Sequence, residues 1–379
     1  MTTTQVFDIA VLPGDGTGAE VMNACLGLLR AAQVLHLGPQ LHSTVYEAGA
    51  QHYARADVAL PEATLDACRQ SHAVLFGAMG WPGVRHADGT EPAPQLDLRM
   101  GLDLYAGVRP IRWFPGLPAI LSDERARHID FVLVREQTEG LFYSRGRGRV
   151  EADSEAYDTL KITRAGTARV SEFAFKLAAQ RKALRKPSTL TGEPSARVTC
   201  VDKSNVFASM AFFRKIFDEV AAGHPDIGHD HAYVDATALT MVKNPWSLDV
   251  LVTENMFGDI LSDLGAGLIG GMGMAPSGDI GDQHALFQPA HGSAPDIAGQ
   301  GKANPCAMFL SAAMMLDWLA LRHREPRLAI QARVIEQAIE QVLSTRAAVP
   351  MDYGGGAGTL EVTTAVIEAM PSALRAVAP

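Results

Sequence analysis

Residues 7–12 form a short apolar run ending in Pro13-Gly14-Asp15-Gly16-Thr17-Gly18, and Val21, Leu26, Leu28 and Leu29 follow at helical spacing. A buried strand, a glycine turn and an amphipathic helix in that order commit a chain to α/β architecture with a largely parallel sheet. The same alternation recurs downstream. A helix is expected over 61–70, and strands over 73–76, 131–136 (FVLVRE), 198–201, 232–235 and 250–253. Further helices are expected over 171–185, 206–220 and 257–264, with a turn-rich break at 186–194. Residues 150–170 are polar and suit a projecting arm or hairpin, and 265–281 reads as a flexible connector rich in Gly and Met. The C-terminal third is expected to return to α/β alternation. Its most apolar stretch, 308–321, is interrupted by Asp317 and is too short to span a bilayer, so it reads as a buried helix.

Charge narrows the partners. The 379 residues carry 42 Asp and Glu against 33 Lys and Arg, a formal net charge of −9. Such a surface has no bulk attraction for nucleic acid or an anionic membrane, so any anionic ligand needs a local cluster of Arg or Lys. Cys25, Cys68, Cys200 and Cys306 lie far apart without a CxxC pair, which points to a reducing cytoplasm rather than to zinc or a disulfide framework. The N-terminal residues carry no basic and apolar leader pattern.

The loop Gly14-Asp15-Gly16-Thr17-Gly18 sits where a phosphate-binding turn would sit, but it lacks the GxGxxG spacing and the acidic residue about 20 positions on. On its own it leaves a structural turn and a ligand loop equally open. Asp259 and Asp263 are more telling. Four residues apart on a helical pattern, they share one face, and two converging carboxylates suit a hard divalent cation or plain solvent. Their surroundings, ENMFGDILSDLGAGLIGG, are too specific for a generic surface helix.

At this point the chain resembles the metal-dependent β-decarboxylating dehydrogenases that act on isopropylmalate, isocitrate, homoisocitrate, tartrate and D-malate. The resemblance rests on seven motifs in order: LPGDGTGAEV, LRMGLDLYAGVRP, VREQTEG, VDKSNV, HAYVDATALTMVKNP, ENMFGDILSDLGAGLIGG and HGSAPDIAGQGKANP. It implies an isopropylmalate dehydrogenase-like two-domain α/β fold with a large mixed sheet, not a Rossmann fold. Residues 1–104 and 270–379 would form the first domain. Residues 105–269 would form the second, with the arm and the dimer interface, and the active site would lie in the cleft between them.

The resemblance also implies a site. Arg99, Arg109 and Arg135 match the substrate arginines, and guanidinium groups suit a small dicarboxylate because each grips a carboxylate bidentately. Asp235, Asp259 and Asp263 match ligands of Mg²⁺ or Mn²⁺, which would chelate the substrate hydroxyl and carboxylate. Lys203 matches the general base, with a pKa lowered by the cation, and Lys203 and Asp235 would reach into the partner's site of a homodimer. Val206 matches a residue lining the substrate's variable group, and Gln95 and Leu96 fall in the specificity segment. Asn205 would face the nicotinamide. His291, Gly292, Ser293, Ala294, Asp296 and Ile297 match the adenosine loop, and Ala303 and Asn304 adenine contacts. Asp296 would accept bonds from the free ribose hydroxyls and repel a 2′-phosphate, which favours NAD over NADP.

Three positions depart from the family. Its catalytic tyrosine falls seven residues after Arg135, where this chain has Phe142 followed by Tyr143. Tyr143 replacing it, protonation by water, and oxidation without obligatory decarboxylation all remain open. If Tyr143 continues a strand it points away from Phe142, which weighs against the first. Gln95 stands where isopropylmalate enzymes carry a leucine; burying its amide unpaired beside an alkyl group would cost about 1–3 kcal/mol. Gln288 stands where a glutamate is usual. The histidines of HPDIGHDH are expected in a connecting loop, and Arg145, Arg147 and Arg149 on a solvated strand or arm.

Overall fold

A computed structural model describes residues 5–35, 38–184 and 196–377. The first elements are β1 (Val6–Gly14), α1 (Thr17–Val34), β2 (Gln40–Val45), α2 (Ala50–Ala56), α3 (Glu62–Gln70), β3 (Ala73–Ala78) and α4 (Pro94–Gly101). Next come β4 (Ala106–Arg112), β5 (Asp130–Glu136) and a hairpin of β6 (Arg149–Glu151) and β7 (Glu155–Tyr157). The chain continues through α5 (Arg164–Leu184), β8 (Arg197–Asp202), α6 (Ala208–Ala221), β9 (Gly228–Tyr233), α7 (Val234–Lys243), β10 (Val250–Thr253) and α8 (Asn255–Leu268). It closes with β11 (Pro276–Ile280), β12 (Ala285–Pro289), α9 (Cys306–His323), α10 (Pro326–Ser344) and α11 (Thr359–Val377).

These elements fall into two compact units. One comprises Met1–Asp103, Phe114–Ala119 and Gly270–Pro379, the other Leu104–Trp113 and Ile120–Ile269. In the first unit the strands run in the order β2-β1-β3-β12-β11, parallel except for the last pair. In the second the order is β4-β5-β10-β8-β9, and only β4 and β5 are antiparallel. The sheet structure is therefore mixed. The central strands β3 and β10 are buried at every position, as expected of parallel strands covered on both faces. α9 packs most of its circumference into the core of its unit and includes the buried run expected over 308–321. No helix among the described residues is long and apolar enough to cross a membrane.

Several expectations are corrected. Residues 265–281 are not a flexible connector: α8 runs to Leu268, and β11 is buried along its whole length. The sequence PSGDI hides this strand because it has no apolar run. Its glycine serves packing, since a Cβ at Gly278 would meet the Phe287 ring at 3.1 Å. After β12 the chain does not return to α/β alternation but ends in three helices. Asp235 does not lie on a strand, because β9 stops at Tyr233 and α7 begins at Val234. His229 and His231 lie on β9 rather than in a loop. α5 starts at Arg164, so only the exposed β6–β7 pair forms the hairpin expected within 150–170. The break expected at 186–194 lies outside the described residues apart from its surroundings.

Candidate functional site

The second unit assembles a charged cluster where β5 meets the start of α8. Glu254 caps this helix, accepting the backbone N–H groups of Met256 at 3.0 Å and Phe257 at 2.7 Å. Burial pushes its carboxyl above the usual range even so. Asn255 then donates to the Glu139 carbonyl at 3.0 Å, tying the VREQTEG loop to the helix. Gly140 is obligatory in that loop, because its φ is +72° and a Cβ would lie 2.4 Å from the Glu254 carboxylate.

Arg135, at the end of β5, is the centre of the cluster and is 3% exposed. Its Nε donates to Asn255 Oδ1 at 2.9 Å, and its Nη1 pairs with Asp259 Oδ1. The Phe142 ring covers the guanidinium at 5.0 Å, and Gly258 leaves room below, since a Cβ there would lie 2.6 Å from Arg135 Cγ. One turn beyond Asp259, the carboxyl of Asp263 is raised by burial and by the Asp259 charge. Arg109 and Arg135 partly offset that rise. Arg109, Arg135, Asp259 and Asp263 therefore share one electrostatic environment.

Phe142 and Tyr143 do not alternate along a strand; they occupy a 3₁₀ turn at Leu141–Ser144. Phe142 is the residue that meets Arg135. The Tyr143 ring lies instead against the arm's cations, 4.3 Å from the Arg147 guanidinium and 4.5 Å from Lys161 Nζ.

Lys203 and Asp235 make a second pair, with Nζ 2.7 Å from Oδ1. The lysine holds the Asp235 carboxyl below its ordinary range. Asp202, fully buried, sets the lysine's turn by accepting the Ser204 N–H and two bonds from Arg214. Asn205 and Val206 follow in an exposed turn. Among the described residues no group of three or more His, Cys, Asp or Glu is placed to hold a metal. The three expected metal aspartates are thus not brought together within one chain: Asp259 and Asp263 are neighbours, and Asp235 stands with Lys203.

In the first unit the glycine loop is braced by bonds within the unit. Asp15, 1% exposed, accepts the N–H groups of Ala50, Gln51 and Gly80. Three of the loop's amides are bonded to carbonyls, Asp15 to Ala78, Thr17 to Ser293 and Gly18 to Asp15. A Cβ at Gly16 would lie 2.2 Å from the Ser293 oxygen, so this turn braces the loop that holds His291, Gly292, Ser293, Ala294, Asp296 and Ile297. In that loop Ala294 adopts a φ of +37°. Burial lowers the His291 pKa and keeps the ring neutral; its Nδ1 meets the Gly292 carbonyl, and its buried Nε2 has no partner among the described residues. The exposed Asp296 carboxylate accepts no hydrogen bond among the described residues. Asn304 is committed at both ends, accepting the Cys306 N–H at 3.1 Å and donating to Asp352 at 3.3 Å. Thr359 Oγ1 fixes the neighbouring Ala303 carbonyl at 2.6 Å.

Arg99 also belongs to this unit, in the last turn of α4, and is 6% exposed. Its Nε donates to Asp279 Oδ2 at 2.8 Å, and Gln288 Nε2 donates to the same oxygen at 3.1 Å. Gln95 lies one turn before Arg99, so the two share a face; its Oε1 is buried without a partner among the described residues, and Leu96 is half-buried. Asp279, Asn255, Asp15 and Asp352 were not singled out from the sequence. Asn255 and Asp15 had a signal, their places inside ENMFGDI and LPGDGTGAEV.

An oxygen-only carboxylate pair beside two buried arginines fits a hard divalent cation and an acidic substrate. A neutral imidazole and an uncommitted carboxylate on a braced loop fit an adenosine. Together with the mixed α/β units, these features define the class of metal-assisted dehydrogenases. The chain belongs to the isocitrate/isopropylmalate dehydrogenase family, whose sequence profile matches residues 8–370. It is 38% identical over 372 residues to a 3-isopropylmalate dehydrogenase of Heyndrickxia coagulans, covering 95% of each chain. It is 39% identical to a 3-isopropylmalate/3-methylmalate dehydrogenase of Methanocaldococcus jannaschii, covering 94% of this chain and 97% of that one. Among solved structures it resembles isocitrate dehydrogenase from Methylococcus capsulatus, with a TM-score of 0.82, 35% identity, and coverage of 96% and 99%. A β-decarboxylating dehydrogenase from Thermococcus kodakarensis gives a TM-score of 0.76 at 36% identity, covering 97% and 96%. The protein is accordingly an oxidoreductase, an NAD-dependent hydroxy-acid dehydrogenase of a family that requires Mg²⁺ or Mn²⁺.

Proposed function

We propose that the protein oxidises a 2-hydroxy dicarboxylic acid of the 3-isopropylmalate, D-malate or tartrate type and that CO₂ is then lost. The observation that carries this reading is Arg135, buried and held on several sides next to the Asp259–Asp263 pair. Arg135, Arg109 and Arg99 would bind the carboxylates of the acid, each guanidinium offering paired donors to one planar group. Asp259 and Asp263, with Asp235 of a partner subunit, would hold the divalent cation, which when bound acidifies the hydroxyl and stabilises negative charge on the oxygen. Lys203 Nζ would accept the hydroxyl proton, and Asp235, 2.7 Å away, keeps that nitrogen in place. Asn205 would face the nicotinamide of NAD, which takes the hydride, with Val206, Gln95 and Leu96 near the variable substituent. His291, Gly292, Ser293, Ala294, Ile297, Ala303 and Asn304 would line the adenosine, and Asp296 would accept the ribose hydroxyls. Because the Asn304 side chain is already bonded at both ends, its backbone is the part left for adenine.

The active form would be a homodimer. Val206, Phe207, Leu239 and Val242 are exposed apolar residues on the segments that carry Lys203 and Asp235, which supports a second chain covering them. Four buried, unpaired cysteines support a cytoplasmic setting. A second reading, oxidation without obligatory decarboxylation, is favoured by Phe142 at Arg135 and by Tyr143 lying against Arg147 and Lys161. The two readings separate on one measurement. The protein is assayed with Mn²⁺, NAD⁺ and a panel of 3-isopropylmalate, D-malate, tartrate and isocitrate, and CO₂ is counted against NADH. One CO₂ per NADH is expected; NADH without CO₂ favours the second reading, and no NADH from any acid contradicts both.

A further inference from the structure

β11 and β12 form an antiparallel pair in which Ser277 opposes Gln288 and Asp279 opposes Leu286. Asp279 and Gln288 are diagonal neighbours in that register and share a face, within side-chain reach. Both converge on one atom. Asp279 Oδ2 accepts Arg99 Nε at 2.8 Å and Gln288 Nε2 at 3.1 Å. The Gln288 backbone is itself fixed, because Ser311 Oγ donates to its carbonyl at 2.7 Å. Asp279 is fully buried, and among the described residues Arg99 donates through Nε alone, leaving its terminal nitrogens for a ligand.

We propose that Gln288 is a positioning residue for the acid-binding site: its amide N–H holds the Asp279 carboxylate in the orientation that grips Arg99 by Nε and leaves the Nη1–Nη2 edge for a substrate carboxylate. The proposal rests on the reading of Arg99 as a substrate arginine. An amide is the group this task needs. A glutamate at 288 offers no donor when ionised, repels Asp279, and competes with it for the same guanidinium. A glutamate that takes up a proton regains an O–H donor and does what the amide does.

The test is titration calorimetry of the full chain with Mn²⁺ and each of 3-isopropylmalate, D-malate, tartrate and isocitrate, with NAD⁺ titrated separately. Gln288→Leu is expected to weaken binding of the preferred acid about tenfold, the usual scale for one lost bond to a buried charge, with NAD⁺ affinity unchanged. Gln288→Glu is expected to match that loss above about pH 7 and to recover towards wild type as the shared carboxyl pair takes up a proton at lower pH. A purely structural role would weaken acid and NAD⁺ together and leave the Gln288→Glu loss independent of pH; either result overturns the proposal. Should Gln288→Leu fail to fold, the pH series of Gln288→Glu decides alone. Arg99→Ala separates the two levels. If it leaves acid binding unchanged, the substrate-arginine reading fails and the proposal with it. If it weakens binding while both Gln288 variants bind as wild type, the proposal alone fails.

Discussion

Two ion pairs of the second unit use the same chemistry in opposite ways. Arg135 is buried and its surroundings fix it: Asn255 takes Nε, Asp259 takes Nη1, Phe142 covers the plane and Gly258 makes room. Lys203 and Asp235 are more open, with 23% and 68% of their side chains exposed. Exposed pairs contribute little stability, whereas a buried pair that loses one partner leaves a costly charge behind. On the proposed reading, the difference separates an acid-binding arginine held within its own chain from a proton-handling pair that faces outwards. On the proposed reading, that outward pair completes a neighbour's site.

Breaking the buried side has the largest expected effect. Arg135→Ala removes the bonds to Asn255 and Asp259 and strands Asp259 beside Asp263, so kcat/KM for the preferred acid should fall at least about a hundredfold, equivalent to roughly 3 kcal/mol. Steady-state kinetics with NAD⁺ saturating would check it, and a loss below about fivefold would show that the buried arginine does not hold the acid. Phe142→Leu is gentler. It removes the aromatic face but keeps the apolar volume, and about 1 kcal/mol of cation–π stabilisation corresponds to a rise of about fivefold in KM for the acid with kcat retained.

The smallest effect concerns a charge that serves neither pair. Asp317, on α9, is pushed up to about 7 by burial first and by Glu336 second, with Arg333 opposing. Between the ordinary carboxylate range and that value, the folded chain keeps a proton the unfolded chain has released, so stability falls as pH rises through this window. Asp317→Asn should therefore raise Tm by about 2–4 °C at pH 8, for about 1 kcal/mol, and change it little near pH 4. Thermal melts at both pH values check the sign.

Much of the fold was legible because continuous strands and periodic helices announce themselves: FVLVRE is β5, and the apolar run over 308–321 lies in α9. β11 was not, since Pro, Ser, Gly, Asp and Ile carry no strand pattern and the strand is made by its pairing with β12. Asp235 was misplaced because Ala232 and Tyr233 continue a strand while Val234 opens a helix, and β-branched valine does not betray the change. The site divides in the same way. Arg135, Asp259 and Asp263 stand in specific strings, but Asp279 reaches Arg99 across 180 residues of chain, and nothing local marks it. The glycine loop taught the reverse lesson: a ligand-like string also braces its own unit, through the bonded amides of Asp15, Thr17 and Gly18.

The claim that the two pairs belong to different chains of one site is tested by subunit complementation. Lys203→Met and Asp259→Asn are each expected to be inactive alone. Denatured and refolded together in equal amounts, they should recover about a quarter of wild-type activity, because half of the dimers are mixed and each mixed dimer holds one intact site of two. Activity that stays at the level of the separate variants would place Lys203 and Asp259 in the same chain's site and contradict the account.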